Sequence, residues 1–296
     1  MIDNDPRTAK FLGLSTVNQR SFREFACGWG AAFINVIITF PINKVMFRQM
    51  LHGVGTHTAF DQIKIEGVSF VYRGILPPLL QKTFSISIMF GMYDKSCQLL
   101  NTNFPHLHPK ICIATAGLFA GSVEALLTPL ERIQTLLQDN KYHLRYKNTF
   151  HAILSLRQFG MREYFRGLTP ILIRNGPSNM MFFGLRTEIR DLMPRTENML
   201  GNFLEDFISG AIIGAIISTI FYPVNVVKTR MQVQVSGPFP SFLTVFWAIY
   251  NERDRSVRRL FYGVHLNYTR AILSWGIINA AYELLKKMMP IEDDSK

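Results

Sequence analysis

The stretch "FPINKVMFRQ" at residues 40–49 places a proline at the end of a long apolar run and follows it with scattered polar residues. The same arrangement returns as "TPLERIQTLL" at 128–137 and as "YPVNVVKTRM" at 222–231. A proline in a helix interior removes a hydrogen bond and clashes with the preceding turn. Three interruptions of the same kind predict a repeated architecture, in which the differing polar residues behind each proline make different contacts.

Long apolar runs lie around these prolines. Residues 25–43 and 207–227 contain no Asp, Glu, Lys or Arg, and a third run around Phe119 is interrupted only by Glu124. Each uncharged run is close to the roughly 20 residues that a helix needs to cross a bilayer. We interpret three shorter runs, each preceded by a basic residue, as membrane helices with one polar face, because a wholly lipid-facing helix would not tolerate that residue. These runs cover 83–93, 175–185 and 271–282, and the basic residues are Lys82, Arg174 and Arg270.

Several sequence landmarks recur with a period of about a hundred residues, which indicates a chain built of internal repeats. The prolines at positions 41, 129 and 223 are 88 and 94 residues apart. An aromatic residue followed by one residue and a glycine occurs at 72–74, 165–167 and 261–263. Each unit therefore holds a long helix interrupted at a proline, a connecting segment and a second helix, which predicts six membrane helices.

The composition argues against several other classes of protein. The formal net charge of +11 suits anionic headgroups and anionic solutes, and no RNA-binding motif or basic low-complexity tail favours nucleic acid. The three Cys are widely spaced without a CxxC, so we expect small buried residues rather than a disulfide framework or a zinc site. The seven His lack HExxH spacing, and no Gly-x-Gly-x-x-Gly follows a strand, which argues against a metalloenzyme and a dinucleotide-dependent dehydrogenase.

The triplicated P-x-[DE]-x-x-[KR] pattern and the aromatic-x-Gly element together resemble the mitochondrial carrier family, solute carrier family 25, over essentially the whole chain. The resemblance implies an all-α membrane protein, a barrel of six tilted transmembrane helices built of three pseudo-symmetric repeats. Its central cavity closes alternately toward the matrix and the intermembrane space. The predicted repeats are 21–105, 106–200 and 201–290, between tails at 1–20 and 291–296.

At the matrix end, the resemblance implies a gate made by the third and sixth residues of each proline motif. The family pattern is three ion pairs, whereas this chain has only Glu131 and Lys228 to make one. We expect Asn43 to hydrogen-bond Gln134, and Asn225 to face an apolar methionine. The gate residues are Asn43, Met46, Glu131, Gln134, Asn225 and Lys228.

At the opposite end, the resemblance implies a cytoplasmic gate on the second helix of each repeat. The pattern aromatic-[DE]-x-x-[KR] is whole only at residues 282–286, and Asp94 with Arg190 is the other plausible pair. Merely solvated helix ends are the alternative. The gate residues are Asp94, Cys97, Thr187, Arg190, Glu283 and Lys286.

The resemblance places the substrate contacts of the cavity about 20 Å inward from the cytoplasmic gate, thirteen residues along each helix. Guanidinium forks bind phosphate oxygens bidentately, and a lone carboxylate suits ribose hydroxyls or a cationic ring. Structural pairing of Glu124 with an arginine is the alternative reading of these charges at mid-membrane depth. The candidate substrate residues are Gln81, Lys82, Glu124, Arg174, Asn175 and Arg270.

Within the family, "YRGILPPLLQKT", "TPLERIQTLLQD", "YFRGLTPILIRNG" and "HLNYTRAILSWGIINAAYE" are most similar to carriers of nicotinamide adenine dinucleotide. The expected function is therefore import of NAD+ into the matrix by a multi-pass protein of the mitochondrial inner membrane, without enzymatic chemistry. Carriage of coenzyme A or another phosphorylated cofactor, or a proton or anion leak, stays open. So do exchange against uniport and the exclusion of NADH.

The resemblance also implies partners. We expect cardiolipin at the helix starts marked by Gly74, Gly167 and Gly263, in addition to NAD+ and other membrane lipid. No nucleic acid, cofactor or metal is expected, and the protein is expected to be a monomer.

Overall fold

The structure is a computed structural model that describes residues 6–192, 210 and 212–289. This part of the chain consists of helices and the turns between them, without a strand. The helices are α1 (Pro6–His52), α2 (Thr56–Glu66), α3 (Val68–Val71), α4 (Leu76–Asn103), α5 (Pro109–Glu124), α6 (Thr128–Gln138), α7 (Thr149–Arg157), α8 (Leu168–Leu192), α9 (Ile212–Ile220), α10 (Tyr222–Val233), α11 (Phe242–Glu252), α12 (Val257–Leu260) and α13 (Val264–Met288).

Two helical stretches are long and apolar enough to cross a membrane, Ala26–His52 and Pro109–Gln138. Helices α9 and α10 pass the same test together, as one span bent by 60°. Helices α4, α8 and α13 have 28, 25 and 25 residues. At 1.5 Å per residue they are about 40 Å long, which suffices for a bilayer even though their polar residues lower their hydropathy. Long helices therefore occupy all six predicted positions.

The three prolines do not interrupt their helices equally. Pro129 lies in the first turn of α6, after a 3-10 turn at Ala125–Leu127, and Pro223 lies in the first turn of α10, after the 60° bend. A proline at the start of a helix needs no hydrogen-bond donor and has a suitable φ. Pro41, in contrast, lies inside the continuous helix α1. The prediction of three equal interruptions is therefore wrong for the first repeat, where the helix tolerates one missing bond.

The chain forms two compact units. One comprises the described parts of 1–39 and 272–296, where Arg23 Nη1 donates to the carbonyl oxygen of Met289 at 3.4 Å. The other comprises the described part of 40–271, where α5 packs against α4 and α8, and α10 against α6 and α8. All contacts below belong to this second unit unless stated otherwise.

The glycines of the aromatic-x-Gly elements make three equivalent contacts. Their φ angles are 84°, 85° and 97°, a backbone conformation that side-chain-bearing residues rarely adopt. A Cβ added at Gly74 or Gly167 would collide with the proline-bearing helix of the next repeat. One added at Gly263 would collide with the Tyr222 hydroxyl of its own repeat and lie 3.1 Å from Gln49 Oε1 on the proline-bearing helix of the first repeat. The pairs are Gly74 with Leu137, Gly167 with Gln232, and Gly263 with Gln49. The threefold relationship expected from the sequence is therefore present in the packing.

A buried ionic cluster joins the second repeat to the segment after α10. Glu163 accepts a hydrogen bond from Arg132 at 2.6 Å and pairs with Arg166 at 3.1 Å, and all three side chains are at most 3% exposed. Arg166 also donates to the backbone carbonyls of Ser236, Gly237 and Pro238. The cluster therefore balances two buried guanidinium groups with one carboxylate and several carbonyl dipoles.

Candidate functional site

The predicted ion pair between Glu131 and Lys228 is present. Lys228 Nζ on α10 donates to Glu131 Oε2 on α6 at 2.9 Å. The side chains are 16% and 9% exposed, so the pair is largely shielded from solvent. An ion pair so placed holds the two proline-bearing helices together just past their prolines. Its role in a matrix gate stays a prediction.

Arg174 on α8 contacts this pair through one guanidinium nitrogen and donates to two neighbouring amides through the other two. Its Nη2 donates to Glu131 Oε1 at 3.3 Å, its Nη1 to Asn225 Oδ1 at 3.0 Å, and its Nε to Asn175 Oδ1 at 2.8 Å. Gln81 on α4 also donates to Glu131 Oε1, at 2.7 Å. Glu131 therefore accepts hydrogen bonds from three helices. Two predicted substrate residues, Gln81 and Arg174, are bonded directly to this predicted gate residue.

Two predictions about the neutral gate residues are wrong. Asn43 and Gln134 make no side-chain hydrogen bond within the described part of the chain, because a single bond between neutral amides contributes too little to draw two helices together. Asn225 does not lack a polar partner, since it accepts from Arg174. Met46 packs against an apolar cluster that includes Val226. The Arg174–Asn225 contact could not be predicted from the sequence, because the sequence does not give the position of α8 along the axis of α10.

Glu124 is held by neutral donors. Ser85 Oγ on α4 donates to Glu124 Oε1, and Asn179 Nδ2 on α8 lies 3.4 Å from Glu124 Oε2. Among the described residues no arginine pairs with this carboxylate, so the alternative of a structural ion pair is not supported. Neither donor was predicted from the sequence. Ser85 follows Gln81 by four residues and Asn179 follows Asn175 by four, so each shares a helix face with a predicted substrate residue.

Close packing of α5 on α8 brings Glu124 to Asn179. A Cβ added at Gly117 would lie 2.8 Å from the Met180 Cα, and one added at Gly121 would collide with the backbone of Asn175. Only glycine allows the two backbones to approach so closely.

The remaining two cations lie in the same region. Arg270 Nη2 on α13 donates to Asn267 Oδ1 at 3.0 Å, and its Nε is buried without a partner in the described part of the chain. Lys82 is exposed and interacts electrostatically with Arg270, Glu124, Arg174 and Glu131. The six candidate substrate residues thus form one cluster on α4, α5, α8 and α13. The cluster holds three cations and one carboxylate, and the adjoining Glu131–Lys228 pair adds one charge of each sign, so a positive excess remains that suits an anionic ligand.

The predicted cytoplasmic gate stays a prediction. Asp94 and Cys97 lie on α4, and Glu283 and Lys286 lie on α13 in the other unit. The side chains of Thr187 and Arg190 lie outside the described residues, and with them the predicted pair of Asp94 with Arg190.

Three consecutive segments of the chain, residues 18–104, 110–197 and 201–293, match the model of the family described as mitochondrial carrier protein. The chain belongs to the mitochondrial carrier family. The predicted family and its three-repeat helical fold are thereby confirmed, and the positive excess of the cluster lies on the helices of a carrier.

The chain is similar to several human proteins. The chain is 49% identical to the human mitochondrial nicotinamide adenine dinucleotide transporter SLC25A51, over 92% of this carrier and 91% of the relative. It is 48% identical to the human mitochondrial nicotinamide adenine dinucleotide transporter SLC25A52, over 92% and 91%. Human solute carrier family 25 member 53 is 32% identical, over 89% and 87%.

Proposed function

We propose that this carrier imports NAD+ into the mitochondrial matrix across the inner membrane, by alternating access and without covalent chemistry. The observation that carries the proposal is its likeness, over nine-tenths of the chain, to relatives named as NAD transporters. The mid-helix cluster supports it, because a dinucleotide carries both an anionic pyrophosphate and, when oxidised, a cationic nicotinamide ring.

The cations of the cluster take the pyrophosphate. Arg174 and Arg270 offer planar forks that match phosphate oxygens, and the exposed Lys82 adds a point charge. Glu124, oriented by Ser85 and Asn179, accepts from ribose hydroxyls or lies against the nicotinamide cation. Spreading these roles over α4, α5, α8 and α13 lets one ligand touch all three repeats.

Substrate binding also weakens the matrix gate. A phosphate that engages the guanidinium of Arg174 competes with Glu131 and Asn225 for the same nitrogens. Glu131 then keeps Lys228 and Gln81 but loses one of its two cations. Arg174 then no longer bridges Glu131 on α6 and Asn225 on α10. The remaining Glu131–Lys228 pair contributes only a small net free energy after desolvation, so α6 and α10 separate more easily on the matrix side.

Lipid and assembly complete the proposal. Cardiolipin binds at the helix starts after Gly74, Gly167 and Gly263, where positive φ angles turn the backbone into each helix. The carrier acts as a monomer, because three repeats in one chain supply the whole cavity.

The test is uptake of labelled NAD+ into liposomes that contain the purified protein. We expect saturable uptake by the wild type and its loss in Arg174→Ala, with partial recovery in Arg174→Lys. Arg157→Ala is the matched control, because Arg157 is exposed on α7. Weak competition by ATP and by coenzyme A is expected. Uptake of coenzyme A instead would reassign the substrate, and proton conductance without saturable uptake would overturn carriage altogether.

A further inference from the structure

Two thiols meet between α4 and α5, away from the charged cluster. Cys97 lies in the last third of α4, and Cys112 lies in the first turns of α5, after Pro109. The two thiols lie near enough to influence each other electrostatically. Cys112 Sγ also donates to Asn101 Oδ1 at 3.5 Å. Asn101 follows Cys97 by four residues and so lies on the same face of α4, which fixes that face against α5.

The surroundings hold the pair in place without making it a metal site. The Tyr93 ring, one turn before Cys97 on α4, stacks on Phe183 of α8 with centroids 3.7 Å apart and an interplanar angle of 7°. Cys112 is 5% exposed, whereas Cys97 is half-buried. Among the described residues no group of three or more His, Cys, Asp or Glu is placed to hold a metal ion. Two neighbouring thiols can instead react with each other to form a disulfide.

We propose that Cys97 and Cys112 form a reversible disulfide that restrains α4 against α5 and slows transport. Since Cys112 hydrogen-bonds Asn101, one turn after Cys97, and α4 already packs against α5, the bond needs little rearrangement. Cys97, the more accessible thiol, reacts first, and the buried Cys112 resolves the intermediate.

The oxidant is a small-molecule disulfide of the glutathione type. Cys97 loses its proton and attacks one sulfur of that disulfide, which forms a mixed disulfide and releases one thiolate. The thiolate takes up the proton. Cys112 then loses its proton and attacks the Cys97 sulfur, which forms the intramolecular bond and releases the second thiol. Two electrons pass from the cysteine pair to the small disulfide, and excess reducing thiol reverses both steps.

The consequence for transport rests on the proposed function. Cys97 is a predicted member of the cytoplasmic gate, one turn after Asp94, where alternating access requires α4 to change its contacts with the corresponding turn of α8. A covalent bond to Cys112 keeps that turn of α4 directed toward α5. The same bond leaves the charged cluster and the Glu131–Lys228 pair untouched, because these lie on other turns.

Peptide mapping tests the bond without reference to any substrate. The reconstituted wild-type protein is treated with oxidised glutathione, alkylated and digested with trypsin, which cleaves after Lys95, Lys110 and Arg132. Cys97 and Cys112 then fall on separate peptides, 96–110 and 111–132. We expect a linked species that is lighter by two hydrogens than the two peptides together and disappears on reduction. Glutathione adducts or free thiols alone would overturn the proposal.

Uptake tests the effect. Labelled NAD+ uptake by wild type and by Cys27→Ser should be largely lost after oxidation and regained after reduction, since Cys27 is buried on α1 with a relative exposure of 1%. Cys112→Ser should transport normally and resist the oxidant. Linked peptides with unchanged uptake would overturn the restraint on transport. If no variant transports NAD+ even when reduced, the proposed substrate fails, while the mapping result still decides the bond.

Discussion

The guanidinium of Arg174 bridges two proline-bearing helices, with Nη2 3.3 Å from Glu131 Oε1 on α6 and Nη1 3.0 Å from Asn225 Oδ1 on α10. Lys228 Nζ lies 2.9 Å from the other oxygen of Glu131. One carboxylate thus balances two cations from different helices. A carrier with a single predicted ion pair at its matrix end therefore has a second cation there, Arg174, which is one of its predicted substrate residues.

Asn225→Asp tests the competition between substrate and gate. A second carboxylate at this position holds Arg174 by a charge-assisted bond, which is about twice as strong as the bond to a neutral amide. We expect a KM for NAD+ uptake raised by about tenfold, because charge-assisted bonds contribute about 1.5 to 3 kcal/mol and 1.4 kcal/mol is a factor of ten. Asn225→Ala, which releases Arg174, should not raise the KM in this way. Equal KM values for both variants would show that Arg174 is not shared.

Asn43→Asp combined with Gln134→Lys tests how firmly the matrix gate closes. These side chains are unbonded in the described part of the chain, and the double change supplies the second ion pair of the family pattern. We expect slower NAD+ uptake in liposomes, because the additional pair stabilises the matrix-closed state. Asn43→Asp alone is the control without a partner. A double variant that transports at the wild-type rate would argue against a gate at these positions.

Ser85→Ala tests whether Glu124 must be oriented. The hydroxyl donates to Glu124 from α4, and its loss leaves the carboxylate with the longer contact to Asn179. A lost bond to a charged group corresponds to a roughly tenfold rise in KM. Ser85→Thr should restore binding by keeping the hydroxyl. The matched control is Ser122→Ala, because the Ser122 hydroxyl donates to the Leu118 carbonyl of its own helix and to no other described residue. Equal effects of both alanine variants would mean a general loss of packing.

The elements of this fold that sequence predicts are those whose cause is local. A proline or a positive-φ glycine constrains its own backbone, so the three repeats are visible without any contact being known. The contact of Glu131 with Lys228, at 2.9 Å, is not local, and it was predicted because the resemblance to the carrier family implies pairs between the charges behind successive prolines. The Arg174–Asn225 bond was not predictable, because it depends on the relative height of two helices. The continuity of α1 across Pro41 depends on packing beyond the proline's own turn.

Glu163→Gln tests the buried ionic cluster behind α6. Arg132 and Arg166 both form ion pairs with this carboxylate, and their side chains are at most 1% exposed. Removing one partner of a buried pair leaves uncompensated charge and costs about 3–5 kcal/mol, so we expect a marked fall in the thermal unfolding temperature in detergent. Glu252→Gln is the control, because its pair with Arg230 is 36% and 55% exposed and such pairs contribute at most about 1 kcal/mol. Similar falls in both variants would contradict the assigned role.

His143 gives the carrier a stability that depends on pH. This residue lies in the segment after α6, where its ring stacks on Phe70 with centroids 4.6 Å apart. Burial, followed by the charges of Lys44, Arg73 and Arg48, lowers the pKa of His143 to about 4 from the ordinary 6.5. Below pH 6.5 the unfolded chain therefore binds a proton that the folded chain refuses, and the stability present above that pH is lost progressively toward pH 4. We expect the unfolding temperature of the wild type to fall on acidification, and that of His143→Gln to fall less. His151→Gln is the control, because it alters an exposed histidine and should behave like the wild type. Parallel curves for wild type and His143→Gln would refute the assignment.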